Sequence, residues 1–360
     1  MQLYVLDTNF NKLALVDTFE SALWIDRYNE AGEFEIYTGA DLALLDYIKL
    51  GNYLIQKDSD HVMIIEQIKI ETDNEKGNYF TISGRSIESI LDRRIIWSQT
   101  DFNNVNLQTA IQRLLNANVI SPSIAARRIS NVVFKTSNDS KITSLKLTAQ
   151  YTGDNLLDVI VNICQSEHIG FKMTLNASNQ FVFELYAGTD RSYEQTTQNY
   201  VVFSSDFDNI INSNYFEDSK PYKNATLVAG EGEGIERKTY AVGTTSGLNR
   251  REIFTDARDL TSKDEDNNDI PINVYNEMLR QRGVEKLAEN PKGKAFDGQV
   301  DSSQTFVYGE DFFIGDVVQI RNEYKLEGAA RVVEYIMSEN INDGISYYPT
   351  FEAIQEEVEG

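Results

Sequence analysis

The chain has 360 residues, 41% of them apolar, enough to bury a core and too many for one core of ordinary size. Its 56 acidic against 33 basic side chains give a net charge of −23, which argues against tight binding to nucleic acid or to anionic lipid. The one cysteine, Cys164, excludes internal disulfides, and no run approaches the roughly 18 apolar residues of a membrane-spanning helix, so no membrane insertion is expected.

At the amino end, Met1 to Phe10 lack both a basic start and an apolar run, so no signal peptide is expected. Residues 24–37 (WIDRYNEAGEFEIY) read as an aromatic-basic strand that turns through Gly32 into an alternating strand. Residues 61–70 (HVMIIEQIKI) and 79–83 (YFTIS) are β-branched and aromatic, and read as strands. In residues 84–97 (GRSIESILDRRIIW), Gly84 ends a strand and Ser86 caps a short helix over 86–92. Glu88 and Asp92 then stand at helical spacing from Arg85, Arg93 and Arg94, and Trp97 supplies a large apolar anchor. This cluster reads either as surface ion pairs, worth about 0–1 kcal/mol each, or as a subunit-interface patch.

Asn106 caps a helix over 106–117 that places Leu107, Ile111, Leu114 and Leu115 on one side. A strand at 132–136 (VVFKT) precedes a second helix, 154–168, starting from Asp154 and carrying Leu156, Leu157, Ile160, Val161 and Cys164. Cys164 and His168 are four apart, a spacing that can chelate zinc, but structural zinc wants about four ligands and catalytic zinc about three. Strands follow at 181–186 (FVFELY) and 200–204 (YVVFS). Residues 230–234 (GEGEG) precede an extended segment instead of a helix, and Glu231 and Glu233 would repel phosphate, so they read as a turn.

The run from Lys263 to Asp269 (KDEDNND) resembles a calcium loop, but Asp269 stands where the turn glycine belongs and Tyr275 where the closing glutamate belongs. It reads as a solvated loop. A helix over 271–290 begins at Pro271 and ends before Pro291. In residues 308–320 (YGEDFFIGDVVQI), Gly315 and Asp316 form a turn that launches a strand at 317–321, and 331–337 (RVVEYIM) is a further strand. No G-x-S-x-G occurs, only two histidines could act as bases, and no pair of carboxylates is singled out. No catalytic, cofactor or metal residue is assigned, and the chain reads as a non-enzyme.

The fold class expected is α+β and β-rich. Residues 1–100 form a first small β-barrel with a closing helix, and 105–195 an α+β insertion. A second barrel runs over 200–255 and 292–355, interrupted by an acidic loop and helix at 256–291. The two ends echo each other: residues 64–82 (IIEQIKIETDNEKGNYFTI) align without a gap on 332–350 (VVEYIMSENINDGISYYPT). Glu66 then falls on Glu334 and Tyr79 on Tyr347, each copy being a hairpin with a glycine and an apolar strand upstream. Hairpins share composition, so chance is the competing explanation. A true duplication matters for symmetry, because three such chains present six nearly equivalent barrels about one axis.

The stretches 24–37, 84–97 and 308–320, in this order and spacing, resemble the siphophage tail-hub family, the amino-terminal structural domain of tail-associated lysins and prophage tail endopeptidases. The resemblance spans about 1–355 and implies a fold similar to the central hub of contractile phage baseplates. It further implies a homotrimeric, pseudo-sixfold ring in the virion tail tip that joins the tail tube and distal tail protein to the tip. The tape-measure protein and DNA would pass through its channel without specific binding. A receptor-binding or lytic tip protein would be a further partner, since many relatives continue into such a region where this chain stops at Gly360. Gly84, Arg85, Glu88, Asp92, Arg93, Trp97, Gly315 and Asp316 are the structural and interface candidates. The alternative is a carbohydrate-binding or peptidoglycan-degrading tail protein, favoured by the many aromatics and carboxylates. A cytoplasmic binding module unrelated to phage would leave the paired hairpins unexplained.

Overall fold

The computed structural model describes residues 1–39, 42–57, 61–73, 77–300 and 306–353. Strands β1 (Leu3–Leu6), β2 (Lys12–Val16), β3 (Ser21–Arg27) and β4 (Glu33–Gly39) open the chain, followed by a one-turn helix α1 (Leu42–Leu45). Strands β5 (Tyr53–Gln56), β6 (Val62–Asp73) and β7 (Gly77–Ser86) complete a first module around Leu3, Val5, Trp24, Phe34, Ile36, Leu54, Ile65, Phe80 and Ile82, all buried. Their period-2 alternation places these side chains on one face of the sheet.

A 3₁₀ turn over Ile87–Arg93 leads into the middle of the chain: β8 (Thr100–Asn106), α2 (Leu107–Leu115), β9 (Val132–Lys135), α3 (Ser140–Thr143), β10 (Lys146–Tyr151), α4 (Leu156–Ser166), β11 (Gly170–Leu175) and β12 (Phe181–Tyr186). The side chain of Asn106 accepts the Thr109 N–H, and Leu107, Ile111, Leu114 and Leu115 are fully buried, as the periodicity predicts. Helix α4 is capped by Asn155 rather than Asp154, and Val159 and Ile163 join its buried face in place of Val161. Ile87, Ile90 and Leu91 pack into this middle core and not into the first module, so the expected closing helix closes its neighbour.

Strands β13 (Val202–Ser204) and β14 (Ile210–Asp218) begin a second module that β18 (Gly293–Val300), β19 (Val317–Arg321), β20 (Glu327–Asn340) and β21 (Gly344–Ala353) complete. Between them lie β15 (Ala225–Ala229), β16 (Thr239–Val242), β17 (Glu252–Asp256) and α5 (Ile272–Ala288). Helix α5 starts directly after Pro271, which holds the cap position, and ends before Pro291. The expected second barrel includes residues 225–255. Strands β15, β16 and β17 instead pair with one another, and Val228 and Val242 share a small core with Tyr275, Met278 and Leu279 of α5.

Among the described residues neither of the two expected barrels closes on itself. The outer modules share one 13-stranded sheet whose main path is β14-β18-β21-β20-β3-β4-β7-β6-β5-β1-β2, with β19 beside β20 and β13 beside β19. Strand β20 of the second module pairs antiparallel with β3 of the first, and this pairing joins the two modules.

Candidate functional site

The duplicated hairpins carry the first functional geometry. Strands β6 and β7 pair antiparallel with a bulge between Ile65 and Gln67, and β20 and β21 pair with a bulge between Val332 and Glu334. The second strand of each pair opens on a glycine with positive φ, Gly77 at 93° and Gly344 at 74°. Upstream, the Gly51 N–H donates to Ile65 O (2.8 Å) and the Ile65 N–H to Asn52 O (2.9 Å). The Gly315 N–H donates to Val332 O (2.7 Å) and the Val332 N–H to Asp316 O (2.9 Å). Gly51 and Gly315 share a positive φ, 86° and 94°.

These matched bonds set the frame. Ile65 corresponds to Val332 and Gly77 to Gly344, one residue out of step with the ungapped comparison of the sequences. Glu66 therefore matches Val333 rather than Glu334, and Tyr347 matches Phe80 rather than Tyr79. The correspondence continues outward, with β4 beside β7 as β18 is beside β21, and β3 beside β4 as β14 is beside β18. It breaks at the far edge, where β1 runs antiparallel to β5 but β13 parallel to β19.

The seam between the modules is the ladder from Glu334 opposite Arg27 to Asn340 opposite Ser21. Arg27 Nε donates to Glu334 Oε2 (2.8 Å) and Nη2 to Glu33 Oε1 (2.7 Å), while Thr350 Oγ1 donates to Glu334 Oε1 (3.1 Å). Met337 of β20 packs against the first module's core across this seam.

Glu66, at the bulge, takes Arg85 through two bonds (2.8 and 3.0 Å), Arg85 Nη1 reaches Asp92 Oδ2 (3.1 Å), and Arg93 lies 3.8 Å from Glu66. Gly84 is glycine because a Cβ there would fall 1.8 Å from Ile64 O, where the bulged strand presses close. Ser86 holds the cap position without capping, since its hydroxyl accepts the Gly32 N–H instead (2.8 Å). Trp97 is no buried anchor: it is 57% exposed, with the Arg127 guanidinium 4.9 Å from its ring centre.

Glu88 pairs with none of the arginines. It is buried, its Oε1 accepts the Met173 N–H of β11 (2.6 Å), and its Oε2 has no hydrogen-bond partner among the described residues. Burial raises its carboxyl above the ordinary range, while its hydrogen bonds and the nearby His61 pull the other way. The folded protein thus holds this proton more tightly than the unfolded chain. The carboxyl's contribution is full below the ordinary carboxylate range and is lost as pH rises through the raised folded value. Glu88→Gln keeps an acceptor for Met173 without the charge. Its urea midpoint should gain on the original protein's as pH rises above the ordinary carboxylate value of about 4, and a difference that stays constant as pH rises would contradict this account.

In the second module Gly315 faces the ring of Tyr28, and the carboxylate of Asp316 is buried. Asp316 Oδ1 accepts the Thr189 N–H (2.7 Å), and Oδ2 accepts Arg191 Nε (2.8 Å) and the Phe313 N–H (3.2 Å). Sequence reasoning missed Tyr28 as the meeting point of the modules, although it stands inside the 24–37 motif. It also missed the stitch that ties α5 to β10, where the Tyr151 hydroxyl donates to buried Glu285 (2.6 Å).

The remaining motifs behave as loops and core. Cys164 is buried in α4 with its thiol pushed up by burial, and His168 lies beyond the helix with φ at 53°. Asp264 Oδ1 accepts the N–H groups of its own loop at Asp266 and Asn268 (3.0 and 2.8 Å). Among the described residues no group of three or more His, Cys, Asp or Glu is placed to hold a metal.

A family model described as Siphovirus ReqiPepy6 Gp37-like protein matches residues 2–346. No curated protein matches the chain. Among solved structures, the tail protein from Neisseria meningitidis MC58 is similar over 99% of this chain and 97% of its own, with 12% identity and a TM-score of 0.57. The 43 kDa tail protein of prophage MuSo2 from Shewanella oneidensis is similar over 98% of both chains, at 10% identity and 0.58. Prophage tail protein gp18 from Listeria monocytogenes EGD-e is similar over 97% of this chain and 94% of its own, at 13% identity and 0.53. At these identities the likeness is one of fold.

Proposed function

This chain belongs to the Siphovirus ReqiPepy6 Gp37-like family of phage tail proteins, and on that premise we propose that it is the hub of the tail tip, three copies of which close into a pseudo-sixfold ring. The observation that carries the reading is the duplication. One chain folds two sheet modules with matched bulges, glycines and hydrogen bonds, and joins them edge to edge through β20 and β3. Three chains then supply six like modules, which suits a part that joins a sixfold tube to a threefold tip.

In this reading the modules lie at about 1–86 and at 200–218 with 293–353, and the middle and α5 units are carried on them as insertions. The distal tail protein sits on one side of the ring and a receptor-binding or lytic protein on the other. Tape-measure protein and DNA pass through the channel during ejection, and a net charge of −23 suits a wall that does not hold DNA.

Light scattering over a concentration series tests the proposal. The hub reading predicts three chain masses at high concentration; a dimer, or a monomer at every concentration, overturns it. Incubation with purified cell walls separates the carbohydrate-processing alternative, which predicts released muropeptides where the hub predicts none.

A further inference from the structure

Among the described residues the internal seam has two unfilled counterparts, one edge in each module. Strand β20 uses one edge twice: Glu327–Arg331 pairs with β19 and Glu334–Asn340 with β3. Its equivalent β6 uses the same edge once, Val62–Ile64 pairing with β5, and among the described residues no strand lies beside Gln67–Asp73. Strand β14, the equivalent of β3, ends the sheet, with β18 on one side and no described strand on the other. An open edge is a template for another strand.

We propose that these two edges join between copies: Gln67–Asp73 of one chain pairs antiparallel with β14 of the next, repeating the internal β20–β3 seam. This rests on the ring reading and names its joint. The internal register fixes the external one. Met337 stands opposite Trp24 and Ile336 opposite Ile25, so Ile70 meets Tyr215 of the neighbour and Lys69 meets Phe216.

Two exposures support this partner. Ile70 is 56% exposed and Phe216 52% exposed, large apolar side chains on the two edges that the joint would cover. The counterpart of Ile70 is Met337, which packs on the core of the module across the internal seam. Ile70 takes that position against the neighbour's second core, beside Tyr215, which already packs on it. The Lys69–Glu71 ion pair (2.9 Å) keeps this edge charged before assembly. The joint is head-to-tail, which closes into a ring when the rotation per step divides the circle.

Cysteines at Lys69 and Phe216 in the same chain test the register, since directly opposite Cβ atoms lie about 4.5–5.5 Å apart. Cys164 is buried and does not compete. Mild oxidation should link chains covalently up to the trimer. The pair Lys69→Cys with Tyr215→Cys should not, because its side chains project from opposite faces. Absence of the link in the first pair, or equal linking in both, overturns the joint. Light scattering on the same samples tells whether the ring fails with it, by giving three chain masses or one. Ile70→Lys, on an exposed side chain, should leave the unfolding midpoint of the monomer unchanged and weaken association about tenfold or more. Unchanged association overturns the joint.

Discussion

Tyr28→Ala should destabilise the protein by about 3–5 kcal/mol in urea unfolding, among the largest losses that one aromatic truncation can produce. Tyr28 is buried where three cores approach. Its N–H donates to Val333 O of the second module (2.9 Å), and its carbonyl accepts the Phe171 N–H of the middle unit (3.1 Å). The hydroxyl donates to His168 O (3.1 Å), the ring meets Tyr186 edge to face at 5.3 Å, and the Arg331 guanidinium lies 5.2 Å from the ring centre. A Cβ on either Gly170 or Gly315 would come within 2.4 Å of the ring, so neighbouring backbone is moulded to it and cannot easily refill the space. Tyr28→Phe should lose only about 1 kcal/mol, the worth of one hydrogen bond. Burial pushes the phenol up to about 12, so the hydroxyl stays protonated and able to donate at neutral pH. If Tyr28→Ala and Tyr28→Phe unfold at the same urea concentration, the junction owes nothing to the ring.

Asp316→Ala should cost a similar amount, about 3–5 kcal/mol, for an electrostatic reason. The carboxylate gathers two backbone N–H groups and the Arg191 guanidinium, and alanine would leave a part-buried cation and two donors without their acceptor. The first module has no carboxylate at this place. Its equivalent residue is Asn52, whose Nδ2 donates to Tyr47 O (2.8 Å). Asp316→Asn, which keeps one acceptor oxygen, should lose less than Asp316→Ala. Equal losses for the two would mean that the side-chain acceptor contributes nothing.

Much of the architecture was legible in the residues. The strands at 61–70, 181–186 and 317–321 announce themselves by β-branched and aromatic runs, and Asn106 and Pro271 mark the helix starts. Glu88 was misread because helical spacing puts Glu88 and Asp92 on one exposed face. In a 3₁₀ turn, with about three residues per turn, Glu88 shares a face with Leu91 and turns inward.

The hairpin frame slipped by one residue for a related reason. Identical glutamates at 66 and 334 score well in a comparison of letters, whereas the bulges and turn glycines fix the pairing. Closure of the modules could not be read at all. It depends on which edge meets which, and the internal seam joins residues some 300 apart along the chain, Arg27 and Glu334.

The central claim is that one chain occupies two like positions of a six-part ring. Electron-microscopy averages of the assembled protein, viewed down the axis, test it most directly. They should show a closed threefold ring in which six similar sheet densities alternate at nearly equal angles around an open channel. Three isolated lobes, a twofold particle, or six densities whose neighbours meet through surfaces other than the sheet edges would contradict it.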